Sequence, residues 1–157
     1  MGENAFCEMD MSQLAGVTST KRETDADLAA GAKLIITEKM QTADDQWAES
    51  NMNFELNGED SSVQVVSRSV AKDNSRQVFS PLVVGRAACR GHVQCDSILI
   101  GNGQVKSVPA IEAASPDAIL MHEAAIGKIA GEQIIKLQTL GLTEEEAEQE
   151  ILDDFLS

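Results

Sequence analysis

The chain is 157 residues long and carries 26 acidic against 12 basic side chains, a net charge of −14. That excess argues against nucleic acid or an anionic membrane as the main partner, because both require a basic face. There is no run of about 18 apolar residues, so no membrane-spanning helix is expected, and the length suffices for one domain with a real core.

From Met1 to about Ala30 the sequence is mixed and polar, and its TSTKRETD stretch reads as loop. The opening MGENAFCEMDMS has no apolar signal core. Three cysteines, with Cys7 remote from Cys89 and Cys95, do not make a disulfide framework. Both features predict free thiols in a reducing cytoplasm.

From Ala32 the character changes. KLIITEK, MNFEL, VQVVSRSV, QVFSPLVVG, DSILIG, QVKSVPAIE and DAILM follow one another, each short, β-rich and bounded by Gly, Asn, Asp, Ser or Pro. In Met52, Phe54 and Leu56 apolar side chains alternate with polar ones, the period of a strand. NGEDSS at 57–62 and GNG at 101–103 are turn clusters. Aromatic residues are few, with four Phe, one Trp and no Tyr. A core of Val, Ile, Leu and Ala suits thin stacked layers. Periodicity leaves two architectures open, a hairpin sandwich and a parallel β-helix.

After Glu123 the period becomes helical. GEQIIKLQTLG places Ile134, Leu137 and Gln138 at helical spacing, with Gly141 as the stop. Thr143 and Glu146 have the spacing of a capping box, and Glu144, Glu145 and Glu146 favour the helix dipole. Ala147, Ile151 and Phe155 then share one face. The Glu144–Glu150 run reads as a solvated face.

The chemistry concentrates in the second half. Cys89, His92 and Cys95 are spaced by three in CRGHVQCD, and His122 and Glu123 follow in MHEAAIGK. Thiolate and imidazole are the ligands preferred by iron, copper and zinc. In one continuous strand Cys89 and Cys95 face one side and His92 the other, so their convergence needs a bulge or corner. His122 and Glu123, being neighbours, also face opposite ways. A zinc-peptidase signature needs a second His four residues on, and that position is Ile126. The GNG turn lacks the GK[ST] of a phosphate loop.

GHVQCDSILIG, VPAIEA, HEAAIGKIAGEQ and LGLTEEEAEQEILDDFL, in this order, closely resemble the C-terminal part of the SufB/SufD family of iron–sulfur cluster assembly proteins. SRSVAKDNSRQVF resembles the SufB version of its region. The stretch from Gly31 and the EMD…GVTSTKR start are similar to shorter relatives. The resemblance implies a mainly β protein: a right-handed parallel β-helix of few rungs over 31–122, preceded by the polar segment 1–30 and followed by a helical domain over 123–157. It implies a non-enzymatic scaffold for a transient iron–sulfur cluster, taking iron or persulfide sulfur. Partners would be a SufC-like ATPase on the C-terminal helices, a second SufB- or SufD-type subunit (homodimer or heterodimer) through the β-helix, and apo-protein acceptors. Cys95 matches the family's sulfur-accepting, cluster-ligating cysteine, and His122 and Glu123 match its EHEA motif. Cys89 and His92 are not general features of the family and are carried only as candidate metal ligands. Met121 stands where the motif has its first Glu, removing one oxygen ligand. The chain is also much shorter than the usual member, either a fragment or a minimal form. These departures keep open the alternative of a SufD-like structural partner that docks the ATPase without holding a cluster.

Overall fold

The computed structural model describes all 157 residues. Ten strands are followed by two helices: β1 (Phe6–Gln13), β2 (Ser19–Leu28), β3 (Lys33–Thr42), β4 (Trp47–Leu56), β5 (Ser62–Ala71), β6 (Arg76–Gly85), β7 (Arg90–Leu99), β8 (Gln104–Ser107), β9 (Ala110–Ala113), β10 (Ile119–Gly127), α1 (Gly131–Thr139) and α2 (Glu144–Leu156). Successive strands do not pair with each other. One sheet runs β1-β3-β5-β7-β10 and the other β2-β4-β6-β8, with β9 also on β6. Every pairing is parallel. This is a β-solenoid of about four turns, and the sandwich alternative is excluded.

The register explains the turn length. Phe6 pairs with Lys33, Lys33 with Ser62, Ser62 with Arg90 and Arg90 with Ile119, steps of 27, 29, 28 and 29 residues. A nearly constant step stacks like side chains on like. Inside the first sheet run the columns Leu34–Val63–Gly91–Leu120 and Ile36–Val65–Val93–His122. From the facing sheet, Phe54–Val83 and Leu28–Leu56–Gly85 meet them. These residues, Gly85, Gly91, Leu120 and His122 excepted, belong to one buried apolar cluster. At the corners the chain must reverse in one or two residues. Asp44, Asp60 and Asp73 adopt positive φ there, which Asp tolerates through local hydrogen bonds. Gly103 is required for a different reason: a Cβ there would lie 2.0 Å from the Ala71 carbonyl oxygen of the turn below.

Proline interrupts the last rung. Ser107 pairs with Phe79 and Ala110 with Leu82, so Pro109 stands level with Pro81, where the ladder between β6 and its neighbour lapses. Proline has no N–H to donate, and the strand is divided into β8 and β9.

Two boundaries differ from expectation. Residues 1–30 are not a polar loop but hold β1 and β2, the first rung, with TSTKRETD largely within β2. Its outward positions are charged (Lys21, Glu23, Asp25, Asp27) and its inward ones include Thr20, Arg22 and Thr24, so the alternation carries little hydrophobic contrast. Arg22 is stabilised there by Glu38, which is 1% exposed. Glu38 accepts from Arg22 Nη1 at 2.8 Å, Ser50 Oγ at 2.6 Å and Ser67 Oγ at 2.9 Å. The second boundary moves as well: β10 continues to Gly127, so Glu123 lies in a strand and the helices start at Gly131.

The helical end follows its sequence signals. Thr143 and Glu146 form the capping box in both directions. Gly141 takes φ +101 after α1. α2 packs on α1 and β5, burying Ala147 and Leu152, while Ile151 and Phe155 are half-buried. Arg68 Nη1 donates to the Phe155 carbonyl at 3.2 Å, tying the helix to the solenoid. Neither helix is long and apolar enough to cross a membrane.

Candidate functional site

Strand parity sorts the candidate residues between the inner and outer faces of the two stacked strands β7 and β10. On β7, Gly91, Val93, Cys95 and Ser97 point inward, while Arg90, His92, Gln94 and Asp96 point outward. On β10, His122 stands beside Val93 and Glu123 beside Gln94, so His122 is inward and Glu123 outward. The interior therefore receives Cys95 and His122. The outer face receives His92 and Glu123, whose Nε2 and Oε1 are 3.7 Å apart. Cys89 is buried in the turn before β7. Six residues of strand place it about 20 Å from Cys95. No bulge brings Cys89, His92 and Cys95 together. No group of three His, Cys, Asp or Glu side chains is arranged to hold a metal ion within one chain. Cys7, on β1, is half-buried against the core at the opposite end of the solenoid.

The surroundings of Cys95 are polar although it is only 1% exposed. It closes a column of inward residues, Glu38–Ser67–Cys95, that continues only as the methyl group of Ala124 on β10. Ala124 is exposed, so the interior is open at this end. Burial pushes the Cys95 thiol up from its ordinary value, the hydroxyls of Ser107 and Ser97 oppose the shift, and Asp96 and Glu38 add to it. Burial likewise raises Cys89, against a backbone contact with Ala87. Both thiols are thus protonated at rest, and a metal or an electrophilic sulfur must displace the proton. His122 is pushed the other way, down, by burial and then by the nearby His92. A neutral imidazole is the form that binds metals.

Three buried side-chain polar atoms lack a hydrogen-bond partner: His92 Nε2, His122 Nε2 and Ser107 Oγ. All lie on β7, β8 or β10, at the C-terminal end of the solenoid. Buried polar groups are ordinarily paired, so this cluster makes the end of the solenoid the candidate site. Ser107, on β8, had no motif to single it out in the sequence. Its signal was positional, a hydroxyl at an inward parity just before the proline break. Glu38 was similarly legible only as a lone carboxylate inside the apolar run LIITEKM.

Residues 2–155 match the family described as SUF system FeS cluster assembly, SufBD core domain. Among similar proteins, an iron–sulfur cluster assembly SufBD family protein of Methanothermobacter thermautotrophicus is 38% identical over 104 residues, covering 65% of this chain and 25% of that protein. One from Methanocaldococcus jannaschii is 33% identical over 122 residues, 77% of this chain and 39% of the relative. One from Pyrococcus horikoshii is 32% identical over 137 residues, 87% and 42% respectively. The chain therefore spans between a quarter and about two fifths of the length of these relatives. With the match running over almost the whole solenoid and both helices, this chain belongs to the SufBD family of iron–sulfur cluster assembly proteins.

Proposed function

We propose that the chain is a non-enzymatic scaffold subunit on which an iron–sulfur cluster, its cargo, is built before transfer to apo-proteins in the cytoplasm. The observation that carries this reading is the shared interior position of Cys95 and His122 at the open last rung, with His122 Nε2 buried and unpartnered. A soft thiolate and a neutral imidazole suit iron. Two donors are too few for a cluster, so the remaining ligands come from a second subunit. β10 supplies the place for one: it pairs only with β7, which leaves its other edge free, and it carries exposed Ile119, Met121 and Ile126. An unprotected apolar strand edge is a template for pairing with another chain. The helical end supports docking of a SufC-like ATPase, because Ile135 and Leu140 are 60% and 73% exposed beside the acidic α2.

A second reading, a SufD-like partner that docks the ATPase without a cluster, is favoured by the lack of any three-ligand group in one chain. Anaerobic reconstitution with iron and sulfide distinguishes the two. The scaffold reading expects visible absorption and bound iron in the wild type and their loss in Cys95→Ser. A folded wild type that takes up neither refutes it in favour of the structural partner.

A further inference from the structure

The solenoid repeats its register, and one repeated position identifies a residue beside Cys95. On the earlier rungs Ser50 Oγ donates to the buried Glu38 carboxylate at 2.6 Å across the interior. Following the register two rungs on, Glu38 leads through Ser67 to Cys95. By the same two steps Ser50 leads through Phe79 to Ser107. Ser107 thus stands to Cys95 as Ser50 stands to Glu38, and β8 packs against β7 across the interior. Here the hydroxyl faces the thiol without a formed hydrogen bond: Ser107 Oγ is buried and unpartnered at rest, yet near enough to oppose the upward shift of Cys95. The other nearby hydroxyl is already engaged, since Ser97 Oγ is 4.0 Å from Cys95 Sγ but 2.8 Å from Ser69 Oγ.

We infer that Ser107 is a positioning residue for sulfur transfer: its hydroxyl donates a hydrogen bond to the sulfur that Cys95 accepts and retains it in the last rung. This rests on the reading of Cys95 as the sulfur acceptor. In the transfer the Cys95 thiol gives up its proton as Sγ attacks the outer sulfur of a polysulfide or donor persulfide. A new S–S bond forms at Sγ, the donor's terminal S–S bond breaks, and the shortened polysulfide or the donor thiol leaves with the electron pair and that proton. The outer sulfur left on Cys95 is anionic, and an O–H donor to an ionised acceptor makes a stronger bond than to a neutral one. Entry is through the open end beside the exposed Ala124.

The test uses the full chain and inorganic polysulfide under anaerobic conditions. After removal of excess reagent, the sample is chased with glutathione, and the persulfide on the Cys95 peptide is followed by mass spectrometry. Ser107→Thr keeps the hydroxyl and Ser107→Val replaces it with a methyl group of nearly equal volume. The wild type and Ser107→Thr are expected to hold the persulfide about 3- to 10-fold longer than Ser107→Val, the effect of one buried hydrogen bond. Equal lifetimes in the Thr and Val variants overturn the role of Ser107 while leaving Cys95 as acceptor. A wild type that gains sulfur on the Cys7 peptide but never on Cys95 overturns both.

Discussion

Replacing Arg22 with Met tests the least expected part of the architecture. Arg22 lies on β2, in the segment whose sequence reads as loop, and its guanidinium is 2.8 Å from a carboxylate that is 1% exposed. Met retains most of the packing volume but removes the cation. Glu38 would then keep only the hydroxyls of Ser50 and Ser67 inside the solenoid. Removing one partner of a buried pair costs about 3–5 kcal/mol, because the remaining charge is stranded. Arg22 itself is a quarter exposed, and water can reach part of the site, so the lower figure of about 3 kcal/mol applies. For a chain of this size that corresponds to a fall in Tm of roughly 6–12 °C. Urea denaturation followed by circular dichroism measures it. The double variant Arg22→Met with Glu38→Leu removes both charges and is expected to recover most of the loss. A loss below about 1 kcal/mol in the single variant would refute the reasoning, since an exposed loop arginine behaves that way. So would a double variant no more stable than the single one.

Further outcomes follow from the same contacts. Gly103→Ala places a methyl group 2.0 Å from the Ala71 carbonyl oxygen, and the resulting backbone shift should cost about 1–3 kcal/mol in the same denaturation assay. The Glu146 carboxyl is held below its ordinary value, first by its bond from the Thr143 backbone and then by the Thr143 side chain. A depressed carboxylate contributes stability above its unfolded pKa and loses it as pH falls through the folded one. Helix content of α2 should therefore decline in acid below about pH 4.5, and Glu146→Ala should flatten that part of the far-ultraviolet profile. Leu140→Asp leaves the solenoid intact and is expected to abolish capture of a SufC-like ATPase in a pull-down; undiminished capture would remove the helices from the proposed interface.

The sequence by itself determined the strand-rich middle, the capped final helix and which Cys and His residues are the candidates for the chemistry. Each depends on local information: alternation in Met52, Phe54 and Leu56, the Thr143–Glu146 box, and the rarity of Cys and His in a chain of this composition. Parity along one strand also foretold that Cys89, His92 and Cys95 do not converge without a bulge, and none is present. The identity of the facing side chains was decided only by the tertiary structure. β2 becomes a strand because Glu38, eleven residues beyond the polar segment's Asp27, offers Arg22 a buried partner. His122 shares the interior face with Cys95, two positions away beside Val93, because β10 pairs with β7 in a register that neither strand encodes alone. Ser107 acquires its place only when three rungs are stacked, since the step of 28 or 29 residues that sets it opposite Cys95 is a property of the closed solenoid. Periodicity within a strand reports which side a residue faces, and only the packing of one rung on the next, about 4.8 Å away, reports what it meets there.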